Sequence, residues 1–146
     1  MRKILPALIA ILFVQISYAQ DFSNKGKEFW LCFPQHVPSR TAAKLSIWIT
    51  SDKASSGTIT MPNGAFSGTF NIAANGLAEI VVPNNANTRL LNTESTNGTT
   101  TQILKKSIKV TVDPGQPAVV AYVQEFGAAR STATLLLPTN VLGKKY

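Results

Sequence analysis

Strict alternation of apolar and polar residues, cut at regular intervals by turn-forming pairs, restricts this chain more than any other feature. In KLSIWIT, residues 44–50, Leu45, Ile47 and Ile49 share one face, and Lys44, Ser46, Trp48 and Thr50 share the other, because successive side chains of an extended strand point to opposite sides. GTITMP puts Ile59 and Met61 inward, with Thr58 and Thr60 outward. FSGTFNI places Phe66, Phe70 and Ile72 on one side, and LAEIVVP does the same with Ala78, Ile80 and Val82. Asn63-Gly64 and Asn75-Gly76 separate these runs, and both residue types tolerate the positive φ of a tight turn. The three runs read as a meander. KSIKVTV follows, then the turn Asp113-Pro114-Gly115, the nearly all-apolar Ala118–Val123 expected of a central strand covered on both faces, and STATLLLP. Residues 84–100, rich in Asn and Thr and without a period, read as a surface loop whose Asn97-Gly98-Thr99 is formally a glycosylation sequon. Short strands between turns, with no helical period after the leader, predict an all-β fold, an antiparallel β-sandwich.

The first nineteen residues are a different kind of sequence. Arg2 and Lys3 precede a mostly apolar run, and Ser17-Tyr18-Ala19 ends it in the small-x-small pattern of a signal-peptidase site. The run is too short to span a bilayer, which takes about 20 apolar residues. It is read as a signal-peptide helix (residues 1–19) cleaved between Ala19 and Gln20, preceding a β-sandwich domain over 20–146. Gln20 stands where a lipoprotein would carry cysteine. Cleavage leaves 127 of the 146 residues, and with Arg2 and Lys3 gone the formal charge falls from +7 to +5. That suits one small extracytoplasmic domain, secreted or held at the cell surface, with no membrane attachment after cleavage.

The run KGKEFWLCFP, residues 25–34, opens the domain. Phe29, Leu31 and Phe33 fall on one face, and Trp30 and Cys32 on the other. Apolar on both sides and stopped by Pro34, it reads as an opening core strand buried on both faces. Cys32 is the only cysteine, so an internal disulfide is ruled out, and its apolar setting predicts a small buried hydrophobe.

Catalytic chemistry is sparsely supplied. His36 is the only histidine and stands four residues from Cys32, about 13 Å along a strand at roughly 3.3 Å per residue, too far for a nucleophile–base pair unless the chain folds back at Pro34. The seven acidic residues form no D-x-D or E-x-x-H cluster, so neither a metal site nor a glycosidase carboxylate pair is signalled. No glycine-rich loop opens a helix, and neither a basic stripe nor a stacking motif points to nucleic acid. No cofactor is expected. Trp48 is the most suggestive side chain, set among Lys44, Ser46 and Thr50 on the polar face of its strand. A tryptophan there stacks on sugar rings or anchors a protein partner, unless a second layer covers it. Trp48, Lys44 and Lys109 are the candidate ligand-binding residues.

Four stretches in order, GKEFWLCFP, SIWITSDKASSGTITMP, FSGTFNIAANGLAEIVVP and KSIKVTVDPGQPAVVAYVQEF running through to STATLLLPTNVLGKKY, resemble the N-terminal domain of the IgG Fc-binding protein family, found also in large exported bacterial surface proteins. The G-x-EFW opening and the LPTNVLGKKY close are the most specific parts. The resemblance implies an exported, β-rich binding or adhesion module, of a kind often found at the head of a long multidomain protein; an extracellular protein or glycan is the expected partner. It implies no catalytic residue. In the family the pattern continues past the LG-x-x-Y element, whereas this chain stops at Tyr146, which implies the first part of a domain. A structural spacer without a ligand and a fragment of a carbohydrate-active hydrolase are the competing expectations.

Overall fold

A computed structural model describes residues 23–34, 44–90, 104–127 and 131–142. The leader with its Ala19–Gln20 junction, His36, the sequon and the closing Gly143–Tyr146 lie outside the described residues. Among the described residues no helix is long and apolar enough to cross a membrane.

The described residues form ten strands: β1 (Glu28–Leu31), β2 (Phe33–Pro34), β3 (Lys44–Ser51), β4 (Ser55–Thr60), β5 (Ser67–Ile72), β6 (Gly76–Val82), β7 (Arg89–Leu90), β8 (Ile108–Val112), β9 (Val120–Phe126) and β10 (Ser131–Leu135), with one 3₁₀ turn at Thr139–Val141. Two four-stranded antiparallel sheets, β1-β8-β4-β5 and β10-β9-β3-β6, make the expected sandwich, and β2 and β7 add a short parallel pair. The alternation in the sequence is what fills the space between the sheets. Phe29, Ile59, Ile108 and Val110 from the first sheet meet Leu45, Ile47, Ile49, Val82 and Ala121 from the second, all almost wholly removed from solvent. Each such side chain stabilises the fold by roughly 1.5–3 kcal/mol relative to exposure.

Four expectations need correction. The runs 55–60, 67–72 and 76–82 are not a meander. β4 and β5 form a hairpin in the first sheet, and the turn at Asn75 (φ 58°) carries the chain across to pair β6 with β3 in the second. β1 is not covered on both faces. It lies at a sheet edge, where Phe29 is buried while Trp30 and Cys32 are exposed, so Cys32 is not a core residue. Trp30 is stabilised from its own surface: its indole N–H donates to Glu28 at 3.1 Å, and the Lys109 ammonium lies 5.4 Å over its ring. β9 is central in its sheet, as its apolarity suggests, yet its outer face stays open and exposes Tyr122. Finally, the stretch from residue 84 is not all surface: Thr88 and Arg89 are buried.

Arg89 enters the sandwich end from β7 and meets Glu125 on the inner face of β9, in an ion pair whose side chains are both buried. A second guanidinium nitrogen donates to Asn84 at 3.3 Å, while Nε has no partner among the described residues. At the opposite end, Ser51 and Ser55 hydroxyls donate to the carbonyls of Ala118 and Pro117. Both ends of the apolar core are therefore closed by hydrogen-bonding side chains.

Candidate functional site

The two sheets present unlike faces to solvent. Across the first, register sets Glu28, Thr111, Thr58 and Thr69 in one row and Trp30, Lys109, Thr60 and Ser67 in the next. Apart from Trp30 this is a hydroxyl-rich, charged surface, the ordinary composition of a strand face in water. Across the second, one row reads Leu135, Tyr122, Trp48, Glu79 and the next Ala133, Gln124, Ser46, Val81, with Phe126 beyond them between Ser131 and Lys44. Leu77, Val81, Tyr122, Phe126 and Leu135 all emerge on this side. Leu77 is 61% and Phe126 56% exposed, and the other large apolar side chains exposed among the described residues are Trp30, Leu137 and Leu142. Large apolar side chains gathered on one face in this way mark an interaction site more often than singly scattered ones do.

Polar groups punctuate the apolar face and are locked in place. The Trp48 indole N–H donates to Gln124 Oε1 at 3.0 Å, fixing the ring against the neighbouring strand. Glu79 Oε1 accepts from the Lys44 ammonium at 2.5 Å and from the Ser46 hydroxyl at 2.6 Å. These two bonds, Lys44 first, hold the Glu79 carboxyl below its ordinary pKa, so it stays charged beside the aromatic row. The result is a flat platform, an indole beside a phenol, bordered by an amide, a carboxylate and an ammonium. Such a surface can stack on sugar rings or bury an apolar protein face while hydrogen-bonding at its edges.

Of the sequence-based candidates, Trp48 and Lys44 share this face, with Trp48 half-buried rather than fully projecting. Lys109 does not join them. It sits on the outer face of the other sheet, bound to Glu28 at 2.7 Å, where that bond and the Trp30 indole lower the Glu28 pKa. Sequence reasoning missed Tyr122, Gln124, Phe126 and Leu135. Their face follows only from the pairing of β9 with β3 and β10, which a nearly continuous apolar run leaves open. Among the described residues no group of three His, Cys, Asp or Glu side chains could hold a metal ion.

No protein-family model, curated protein or solved structure matches this chain. The family likeness therefore rests on the quoted stretches alone.

Proposed function

We propose that this chain is a non-catalytic binding or adhesion module, exported from the cell, whose ligand docks on the outer face of the second sheet. The ligand is an extracellular protein or glycan. One observation carries the reading: within a single fold one sheet turns a hydroxyl-rich face to water, while the other turns out Trp48, Tyr122, Leu135 and Phe126. The charged leader and the G-x-EFW and LPTNVLGKKY stretches support export and membership in a longer surface protein.

The test is binding of the purified chain to a glycan array and to a panel of extracellular matrix proteins, beside Trp48→Ala and Tyr122→Ala variants and a Thr58→Ala control on the polar sheet. Saturable binding that both aromatic variants lose and the control keeps supports the module. The spacer reading takes its place if nothing binds saturably, or if the aromatic variants bind as the parent does. Turnover of a glycan abolished by a single Asp or Glu substitution would move the assignment to the hydrolase.

A further inference from the structure

The sandwich has two lateral margins, and they are built differently. On one, the tight turn at 73–75 joins β5 of the first sheet to β6 of the second. On the other, β1 faces β10. That margin is closed near Phe29, which bridges to Pro138, and opens further along into a cleft of about 440 Å³. Leu31, Phe33 and Pro34 form one wall and Thr132, Thr134 and Leu136 the other, with Val123 and the Arg89-paired Glu125 also lining it. The volume lies within the range of about 300–1,000 Å³ usual for ligand sites.

Among the described residues, the strand bordering this cleft is an unprotected edge: β10 pairs only with β9, and all five of its residues are exposed. The Leu136 N–H donates to Ala121 O, so Leu136 faces Ala121 in a hydrogen-bonded pair. Since such pairs alternate along an antiparallel ladder, Thr134 and Thr132 also bond to β9, and the N–H and C=O groups of Ser131, Ala133 and Leu135 point away from it. No described residue meets them. Natural edges are shielded by charge, proline or a bulge, and STATL has none of these.

We propose that the β10 edge and the adjoining cleft form a second binding site, which takes an extended segment of another polypeptide as an added strand. The backbone of the incoming strand pairs with Ser131, Ala133 and Leu135, and its alternate side chains enter the cleft between Leu31–Pro34 and Thr132–Leu136. This is strand addition, in which ladder hydrogen bonds supply affinity and pockets for alternate side chains supply selectivity. The unpaired ladder groups specify a polypeptide rather than a sugar or lipid. The cleft specifies which polypeptide: β10 of a second copy would offer only Thr132 and Thr134 to a mostly apolar hollow, whereas a strand with bulky aliphatic residues at every second position fills it. The site adjoins the aromatic platform at Leu135, whose side chain belongs to that face, but it uses different groups, the outward backbone of β10 and the cleft behind it.

Cys32 lines the cleft, is exposed and is the only cysteine, so it reports occupancy directly. The chain, expressed with its own leader and purified as the cells process it, is titrated with a seven-residue peptide of alternating Leu and Thr. The rate of Cys32 modification by a disulfide reagent is followed. We expect saturable protection of at least tenfold. A peptide of the same composition with its leucines in one block, and the alternating peptide N-methylated at every second residue on its pairing edge, should protect at least tenfold more weakly. Ala133→Pro removes an outward N–H while leaving the β9 ladder intact and should weaken protection to the same extent; Thr134→Glu, which charges the cleft wall, is the independent second variant. The proposal is overturned by no protection at millimolar peptide, by equal protection from the block peptide, by unchanged protection in both variants, or by Cys32 already shielded through self-association at micromolar protein.

Discussion

Gly26 seats Pro138. A β-carbon built on Gly26 would lie 2.0 Å from Pro138 Cβ and 3.1 Å from the Asn140 side-chain oxygen, so the absent side chain lets the segment after β10 close over the start of the domain. The neighbouring backbone is tied as well, Gly26 exchanging hydrogen bonds with Val119 at 2.9 and 3.0 Å. Gly26→Ala should therefore destabilise by about 1–3 kcal/mol, the usual cost of overpacking, read as a lower urea midpoint at unchanged slope. Pro138→Gly combined with it should cost less than the two single changes together, because the clash and the contact it replaces involve the same atoms. Additive losses would show that Gly26 matters only through its backbone.

That contact also shows how far the sequence could be read. The G-x-EFW and LPTNV stretches stand out as motifs at opposite ends of the domain, yet nothing in either says that Gly26 and Phe29 lie against Pro138. Period-two alternation is local, so it assigned Leu45, Ile47, Ile49, Ile59 and Met61 to the core correctly. Strand order depends on long-range pairing that alternation does not encode. For that reason the crossing at Asn75 was legible as a turn but not as a change of sheet. The same gap hid most of the candidate face. Trp48 declared itself by breaking a polar row, whereas Tyr122 and Phe126 sit in a run too apolar to show which side faces water. Cys32 misled because an apolar strand at an edge has the same composition as one in the middle.

The buried pair of Arg89 and Glu125 should be costly to break and cheap to replace. Arg89→Met leaves a carboxylate facing the core end, and Glu125→Gln leaves the guanidinium without its counter-ion; either should lose about 3–5 kcal/mol. Arg89→Met with Glu125→Leu removes both charges together, and its stability should return to within about 1 kcal/mol of the parent or exceed it. Urea melts of the three variants decide this. A double variant as unstable as the singles would mean that the pair holds β7 in place by geometry that apolar packing cannot reproduce.

Three surface carboxylates predict a shallow acid limb. Glu79, Glu28 and Asp52 are all held below their ordinary pKa, chiefly by hydrogen bonds from Lys44, Lys109 and Lys25 respectively. A folded-state pKa below the unfolded one contributes stability that is fully present above the unfolded value, near 4 for these groups. That contribution is lost as pH falls through the lower folded value. Stability should therefore be flat with respect to these groups at neutral pH and decline below about pH 4. Because the pairs lie at the surface, molar salt should flatten the decline. Glu79→Gln should remove part of it, and an unchanged acid limb in that variant would mean that the Lys44 bond does not survive in solution.

The apolar platform can be separated from the fold by substitutions that touch one and spare the other. Leu77 and Phe126 stand on the outer face, well exposed, and neither belongs to the buried core. Serine at either position should change stability by no more than about 0.5 kcal/mol, as surface substitutions usually do. Retention on a hydrophobic-interaction column should fall in both. Trp48→Phe is the finer probe: it keeps an aromatic ring in the row with Tyr122 but removes the N–H given to Gln124. Exchange of that bond for water should cost about 0.5–1.5 kcal/mol, so the variant should stay folded. Weak stability loss with strong loss of ligand binding would show that the fixed orientation of the indole, and not its apolar area alone, serves recognition. If Leu77→Ser and Phe126→Ser instead unfold the chain, the face is buried structure in solution, and the binding assignment falls with it.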